Sequence, residues 1–255
     1  MLNYSWRLFA TGLCFFLFFN GGLFLGTSIL PIIGLCSRDP LNRSRRIQKT
    51  IAISFRLFVW LMQTLGVIRF SFQGVDKLRA DRGCLLVANH PTLIDYVVIT
   101  SLLDQCNCIV KQTLWQNRWL KWVIRLAGYI PNVQSDQLLQ ASRQSLDSGN
   151  PLLIFPEGTR SEPGKSLKMQ RGAAHLALRL DKPLRLIHIH CSPSTLTKAE
   201  AWYQIPKSGK PHYQLNIGDR IDPNKFYNET QHTSVAARHL TRYLEHELAK
   251  ERVNE

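Results

Sequence analysis

Charge is missing from the start of this chain. No Asp, Glu, Lys or Arg occurs between Leu8 and Ser37, a run longer than the roughly 20 apolar residues that cross a bilayer. It is too long for the apolar core of a secretory signal and no small-x-small cleavage site follows it, so a retained membrane segment is expected. Acidic residues are scarce throughout: 18 Asp and Glu against 32 Lys and Arg leave a formal charge of +14. That balance points to an anionic partner, whether nucleic acid, an acidic membrane surface or a phosphorylated substrate. Nucleic-acid motifs are absent, and aromatics are not interleaved with the basic residues, which speaks against a nucleic-acid reader. Gly-x-Ser-x-Gly is absent too, so a serine hydrolase elbow is unsupported. The six cysteines lack the spacing of a small secreted domain, and Cys106-x-Cys108 has no second pair at zinc spacing. Free thiols in a reducing compartment are expected, with residues 107–110 a strand and no metal site. Internal repeats and low-complexity tracts are absent.

What is present begins with the apolar run itself. Asn20-Gly21-Gly22, Gly26 and Pro31 leave two readings open, a single kinked span or a re-entrant pair of shorter helices. Arg38, Arg43, Arg45, Arg46 and Lys49 follow it, with only Arg7 before it, which places everything from Arg38 onward on the cytoplasmic side. Ile51 to Phe70 is apolar but interrupted by Arg56, Gln63 and Arg69. It reads as an interfacial helix, with a core helix of the soluble domain as the alternative. The chain thus divides into a membrane segment (1–37), a basic linker with an interfacial helix (38–70) and a catalytic domain (71–255).

Two stretches carry the chemistry. Cys84 to Ala88 is an apolar run of strand length that breaks at Asn89-His90-Pro91 and resumes as a helical pattern, with Pro91 suited to the first helical position. Residues five apart in one ideal helix point about 140° away from each other. His90 before the first turn and Asp95 after it can meet, and a carboxylate on one ring nitrogen is what a histidine base needs. The second stretch, Pro151-Leu-Leu-Ile-Phe155, is another buried-strand run ending in Pro156-Glu157-Gly158-Thr159-Arg160-Ser161. A glycine for close approach, a carboxylate, a hydroxyl and a guanidinium within a few residues suit a phosphate or polar head group.

The rest alternates. Helices are expected over 95–103, 114–127, 137–146 and 171–180, and strands over 108–111, 152–155 and 184–191, the pattern of an α/β fold with a mostly parallel sheet flanked by helices. Both motifs then fall at the carboxyl ends of strands, where such sheets bind ligands. Trp115, Trp119 and Trp122 form a helical stripe, either core or interfacial, beside Arg118, Lys121 and Arg125. Lys165 and Lys168 lie in a basic loop, either solvated or phosphate-facing, and Arg171 stands at a helix start, a good place for an anion. His188-x-His190 reads as strand-end structure, not as metal ligands, and His175 as a structural helix residue. Residues 192–211 form a surface excursion or lid, 212–218 a strand near an edge, and 234–250 an amphipathic helix.

Asn89-His-Pro-Thr-Leu-Ile-Asp95 and Phe155-Pro-Glu-Gly-Thr-Arg-Ser161, in this order and at this separation, resemble the 1-acyl-sn-glycerol-3-phosphate acyltransferase family of membrane-bound lysophospholipid acyltransferases, over roughly residues 68–221. The resemblance implies a glycerolipid acyltransferase-like fold with an N-terminal membrane helix or helical hairpin. It implies transfer of an acyl chain from acyl-CoA or an acyl carrier protein thioester to a lysophospholipid hydroxyl, without a further cofactor or a metal. His90 and Asp95 would be the catalytic pair. Glu157, Gly158, Thr159 and Arg160 would bind the acceptor, Asn89 would support the turn, and Lys111 and Arg171 are candidates for phosphate binding. The partners implied are membrane lipids and the two substrates, not nucleic acid. Two departures stand out: Gly128-Tyr-Ile-Pro-Asn132-Val-Gln134 lacks the arginine that relatives often carry, and Leu184-Arg-Leu-Ile-His188 lacks a frequent proline. An acceptor from another lipid pathway is therefore the rival to 1-acylglycerol-3-phosphate. The contrasting class is a basic membrane-tethered protein without chemistry.

Overall fold

Leu85 to Ala88 form the strand around which the layers are laid, and all four residues are buried. Leu86 and Ala88 join one apolar cluster while Leu85 and Val87 join another. The continuous apolar run thus reflects a strand covered on both faces. In the computed structural model, which describes residues 2–116, 121–133, 135–227 and 232–250, this strand lies inside a seven-stranded sheet. The strands are β1 (Arg69–Gln73), β2 (Leu85–Ala88), β3 (Asn107–Val110), β4 (Ile130–Pro131), β5 (Leu152–Ile154), β6 (Leu184–Ser192) and β7 (His212–Ile221), in spatial order β1-β7-β6-β2-β5-β3-β4. Neighbours run parallel except β6 and β7, which are antiparallel. The strand expected near an edge over 212–218 is one place in from it, because β1 pairs along its far side.

The helices, in chain order, are α1 (Leu2–Phe24), α2 (Leu30–Cys36), α3 (Pro40–Thr64), α4 (Val75–Ala80), α5 (Asp95–Ser101), α6 (Gln112–Gln116), α7 (Lys121–Leu126), α8 (Ser135–Asp147), α9 (Gly172–Leu180) and α10 (Thr233–Lys250). α9 and α10 cover one sheet face through Ala174, Ala177, Leu240 and Leu244. α5 and α3 cover the other through Val98, Ile99, Ile51 and Met62. Arg118, Trp119 and Gln134 lie outside the described residues. The tryptophan stripe is not one surface: Trp115 packs against the core with Arg125 over its ring, whereas Trp122 is exposed.

The N-terminal run is one helical rod. α1 passes into α2 through a π-helical turn at Leu25–Ile29, with helical backbone angles at both junctions, so Gly22, Gly26 and Pro31 do not fold it back on itself. The reversal comes at residues 37–39, where the Asp39 carboxylate accepts the Asn42 N–H at 2.9 Å and Pro40 opens α3. The stretch read as a basic linker is therefore mostly helix, because Asp39 and Pro40 supply a cap and a first-turn proline. The rod lies against the domain: Trp6 donates to the Leu65 carbonyl, Arg7 to that of Pro206, and Phe15 meets Phe58 and Trp202.

The polar interruptions of α3 have structural causes. Arg56 donates to the carbonyls of Ser101 and Leu103 and pairs with Asp104, capping the end of α5. Gln48, buried, donates to the Asn107 side chain and to the Ala127 carbonyl and accepts the Cys106 N–H. Replacing Gln48 by Leu strands the Asn107 side-chain oxygen and the Cys106 N–H, while the Ala127 carbonyl keeps the Ser44 hydroxyl, and a loss of about 1–3 kcal/mol is expected. A fall in the unfolding midpoint of the detergent-solubilised protein checks it.

Candidate functional site

The upper rim of the sheet gathers the ends of β2, β5 and β6 with the start of β7. After β2, the Asn89 side chain exchanges two hydrogen bonds with the backbone of Ile189 on β6, at 2.7 and 2.8 Å. It thereby extends the pairing of two central strands one residue past the sheet, and the next residue, His90, leaves the plane at a fixed angle.

Residues 91–94 are loop and α5 begins at Asp95. Pro91 is thus not a first helical residue, and the reason is Asp95 itself. Its carboxylate takes the Thr92 N–H at 2.8 Å and the Thr92 hydroxyl, closing a turn that delays the helix. The same carboxylate reaches His90, with Nδ1 at 2.8 Å from Oδ2. Because the carboxylate accepts, Nδ1 carries the proton and Nε2 presents its lone pair. The imidazole stacks on Phe155 at 4.2 Å between centroids and 22° between planes, and 21% of its side chain is exposed. Asp95 is wholly buried. The pair is an imidazole on an open rim held by a carboxylate in the core.

The loop after β5 is tied directly to this histidine. Oε1 of Glu157 accepts the His90 N–H at 2.9 Å and the Ser161 hydroxyl at 2.7 Å, and the Ser161 N–H donates to the His90 carbonyl at 2.7 Å. Nη1 of Arg160 donates to the carbonyls of Leu196 and Thr197, at 3.1 and 2.7 Å. The Leu93 N–H also reaches the Leu196 carbonyl. Glu157 and Arg160 therefore bind three loops together around His90. Gly158, with φ of +68°, and Thr159 form the exposed tip of the turn. Lys111 follows β3 and Arg171 precedes α9, both exposed.

The histidine–aspartate pair and the Glu157–Ser161 turn, 67 residues apart at their contact, form one constellation. Sequence reading missed four of its members: Thr92 and Tyr213, both bonded to Asp95, Phe155 as the face under the imidazole, and Ser161 as the link to Glu157. Thr92 was accessible from its position three residues before an acid. Tyr213 was not, since only the β6–β7 pairing brings it there. Among the described residues no group of three His, Cys, Asp or Glu is placed to hold a metal ion.

This architecture is shared with a solved structure. The crystal structure of the 1-acyl-sn-glycerophosphate acyltransferase PlsC from Thermotoga maritima superposes with a TM-score of 0.67 at 21% identity, covering 96% of each chain. The layered α/β fold of that enzyme, from the N-terminal rod to the last helix, is thus the fold of this protein. Residues 69–191 match the family model described as Acyltransferase, and both motifs lie within them. Over these residues, just under half of its length, the chain is similar to the acyltransferase family. Among curated relatives, the 1-acyl-sn-glycerol-3-phosphate acyltransferase of Pseudomonas aeruginosa is 24% identical over 174 residues, 66% of this chain and 63% of that protein. The corresponding enzyme of Helicobacter pylori is 32% identical over 133 residues, 47% of this chain and 56% of that protein. The mouse alpha form is 25% identical over 197 residues, 74% of this chain and 66% of that protein. The chain spans less than two thirds of the length of these curated relatives.

Proposed function

We propose that this protein moves a fatty acyl chain from a thioester, acyl-CoA or an acyl carrier protein conjugate, to the free hydroxyl of a lysophospholipid, with 1-acylglycerol-3-phosphate as the favoured acceptor. The observation that carries the reading is the 2.8 Å bond from His90 Nδ1 to the buried Asp95 carboxylate on a rim open to the acceptor. Nε2 takes the proton of the acceptor hydroxyl as its oxygen forms a bond to the thioester carbonyl carbon. The carbon–sulfur bond then breaks, and the departing thiolate receives that proton from the imidazolium. Asp95 keeps the ring oriented and stabilises its charged form throughout. Glu157 and Arg160 shape the rim. The exposed Gly158–Thr159 tip, Lys111 and Arg171 are the groups offered to the acceptor's phosphate.

Membrane attachment is part of the same proposal. Residues Asn3–Cys36 make a helix whose most apolar 18-residue stretch has a mean hydropathy of 1.9, long and apolar enough to cross a bilayer. Phe9, Phe16, Phe19 and Phe24 on α1 with Leu57 and Trp60 on α3 stay exposed, an apolar surface of the kind that marks membrane contact. With Arg43, Arg45 and Arg46 beside it, we place the catalytic domain on the cytoplasmic face.

The rival acceptor from another lipid pathway rests on the stretch Gly128-Tyr-Ile-Pro-Asn132-Val-Gln134, which lacks the arginine that relatives often carry shortly after the glycine. A thiol-release assay on the full chain in lipid vesicles, with acyl-CoA and acyl carrier protein donors against a panel of lysolipids, separates the readings. Acceptor-dependent release with 1-acylglycerol-3-phosphate supports the favoured one. Binding of anionic lipid with no thiol release under any pairing contradicts transfer altogether.

A further inference from the structure

Asp95 accepts four hydrogen bonds. Three come from the loop that carries His90: the imidazole Nδ1, the Thr92 N–H and the Thr92 hydroxyl. The fourth comes from β7, two strands away from β2 in the sheet. Tyr213 on β7, 118 residues away in sequence, places its hydroxyl 2.9 Å from Oδ1. Tyr213 is fully buried on the face that α5 covers, its ring 5.5 Å from that of Phe70 and its strand partner Cys191. The lining of that face, with Ile189, Leu215 and Phe70, is apolar, so packing alone asks for a ring and not for a hydroxyl.

We propose that Tyr213 is a positioning residue for acyl transfer, acting through Asp95 to set how readily His90 gives up its proton. The inference rests on His90 being the base. The two carboxylate oxygens divide the work: Oδ2 takes the imidazole and the Thr92 N–H, and Oδ1 takes the Thr92 and Tyr213 hydroxyls. Donors on Oδ1 draw off negative charge that would otherwise act on the imidazolium at Oδ2. Without the Tyr213 donor that charge concentrates on Oδ2, and the imidazolium formed as the proton moves is held more strongly.

The other titratable groups that interact with Asp95 stay away from neutrality, and His212, beside Tyr213 on β7, turns its ring to the Ser71 hydroxyl instead. Cys191 on β6 has its thiol pushed up to about 12, by burial first and then by the Asp95 charge. The Tyr213 phenol lies well above its usual value, again by burial first and then by Asp95, so it remains a donor. Glu157, from the loop after β5, faces the His90 main-chain N–H and not the ring.

The test is the pH dependence of kcat/KM for thiol release, measured on the full chain in vesicles with 1-acylglycerol-3-phosphate and acyl-CoA. The acid limb reports the base in the free enzyme. Tyr213→Phe keeps the ring and removes the donor, and its acid limb is expected to move up by about half a pH unit or more, with acceptor KM near that of the wild type. Site-specific 3-fluorotyrosine at position 213 keeps the shape and strengthens the donor, and its limb is expected to move down. Limbs that coincide in all three proteins, with rates either unchanged or uniformly lowered, overturn the proposal. A His90→Ala protein with wild-type turnover overturns the base assignment as well. An inactive His90→Ala protein beside an unmoved limb in Tyr213→Phe rejects the role of Tyr213 alone.

Discussion

Replacing His90 by alanine is expected to lower turnover by about 10²–10⁴, the range over which a positioned acid–base group works, with the fold intact. The side chain is partly exposed and its contacts are few: one hydrogen bond to Asp95 and a stack on Phe155. The hydrogen bonds that join the three loops use the main chain of His90, its N–H to Glu157 and its carbonyl from Ser161. Alanine retains both. Asp95 also keeps its donors from Thr92 and Tyr213, so the buried carboxylate is not stranded. Unchanged acceptor binding with collapsed kcat is the pattern of an interaction made only as the proton moves.

The largest effect on stability is expected at Arg185. This residue lies on β6 and is buried there with Asp81. Its Nε and Nη2 meet the two oxygens of Asp81, the latter at 2.8 Å, and Nη1 donates to the Gly218 carbonyl at 3.0 Å. The pair locks the loop before β2 to the β6–β7 hairpin. The Asp81 hydrogen bond holds the Arg185 guanidinium above its usual range. Arg185→Ala leaves a buried carboxylate with no counter-charge, and breaking such a pair costs about 3–5 kcal/mol. In a domain of this size that lowers the unfolding midpoint by roughly 10 °C. The double substitution Asp81→Leu with Arg185→Met is expected to recover most of the loss, since apolar replacements of buried ion pairs are often close to neutral. Scanning calorimetry of the three proteins in one detergent decides this.

Much of the site could be read in the sequence because its parts are local. His90 and Asp95 are five residues apart, and a loop–helix junction is enough to join them. The apolar runs around β2 and β5 announced strands buried on both faces, and the alternation of elements announced the sheet. What escaped reading depends on contacts made across the fold. Arg56 looked like a polar break in an interfacial helix, but its partner 45 residues further on makes it a helix cap, and Gln48 gave no sign of the buried network it forms with Cys106, 58 residues further on. β1 was lost in the tail of the same apolar run, because only pairing with β7 makes an edge strand of Arg69–Gln73. Arg160 read as a phosphate fork, and the Leu196 and Thr197 carbonyls that accept from its Nη1 come from a loop with no sequence signal of its own.

The most direct measurement follows thiol release and ester formation together, in vesicles of one composition, for the wild-type chain and for His90→Ala. The wild type should release one thiol per ester formed, and only when an acceptor with a free hydroxyl is present, while the variant, equally folded, should do neither at a comparable rate. Wild-type rates from a folded His90→Ala protein would contradict the assignment of the proton to that imidazole.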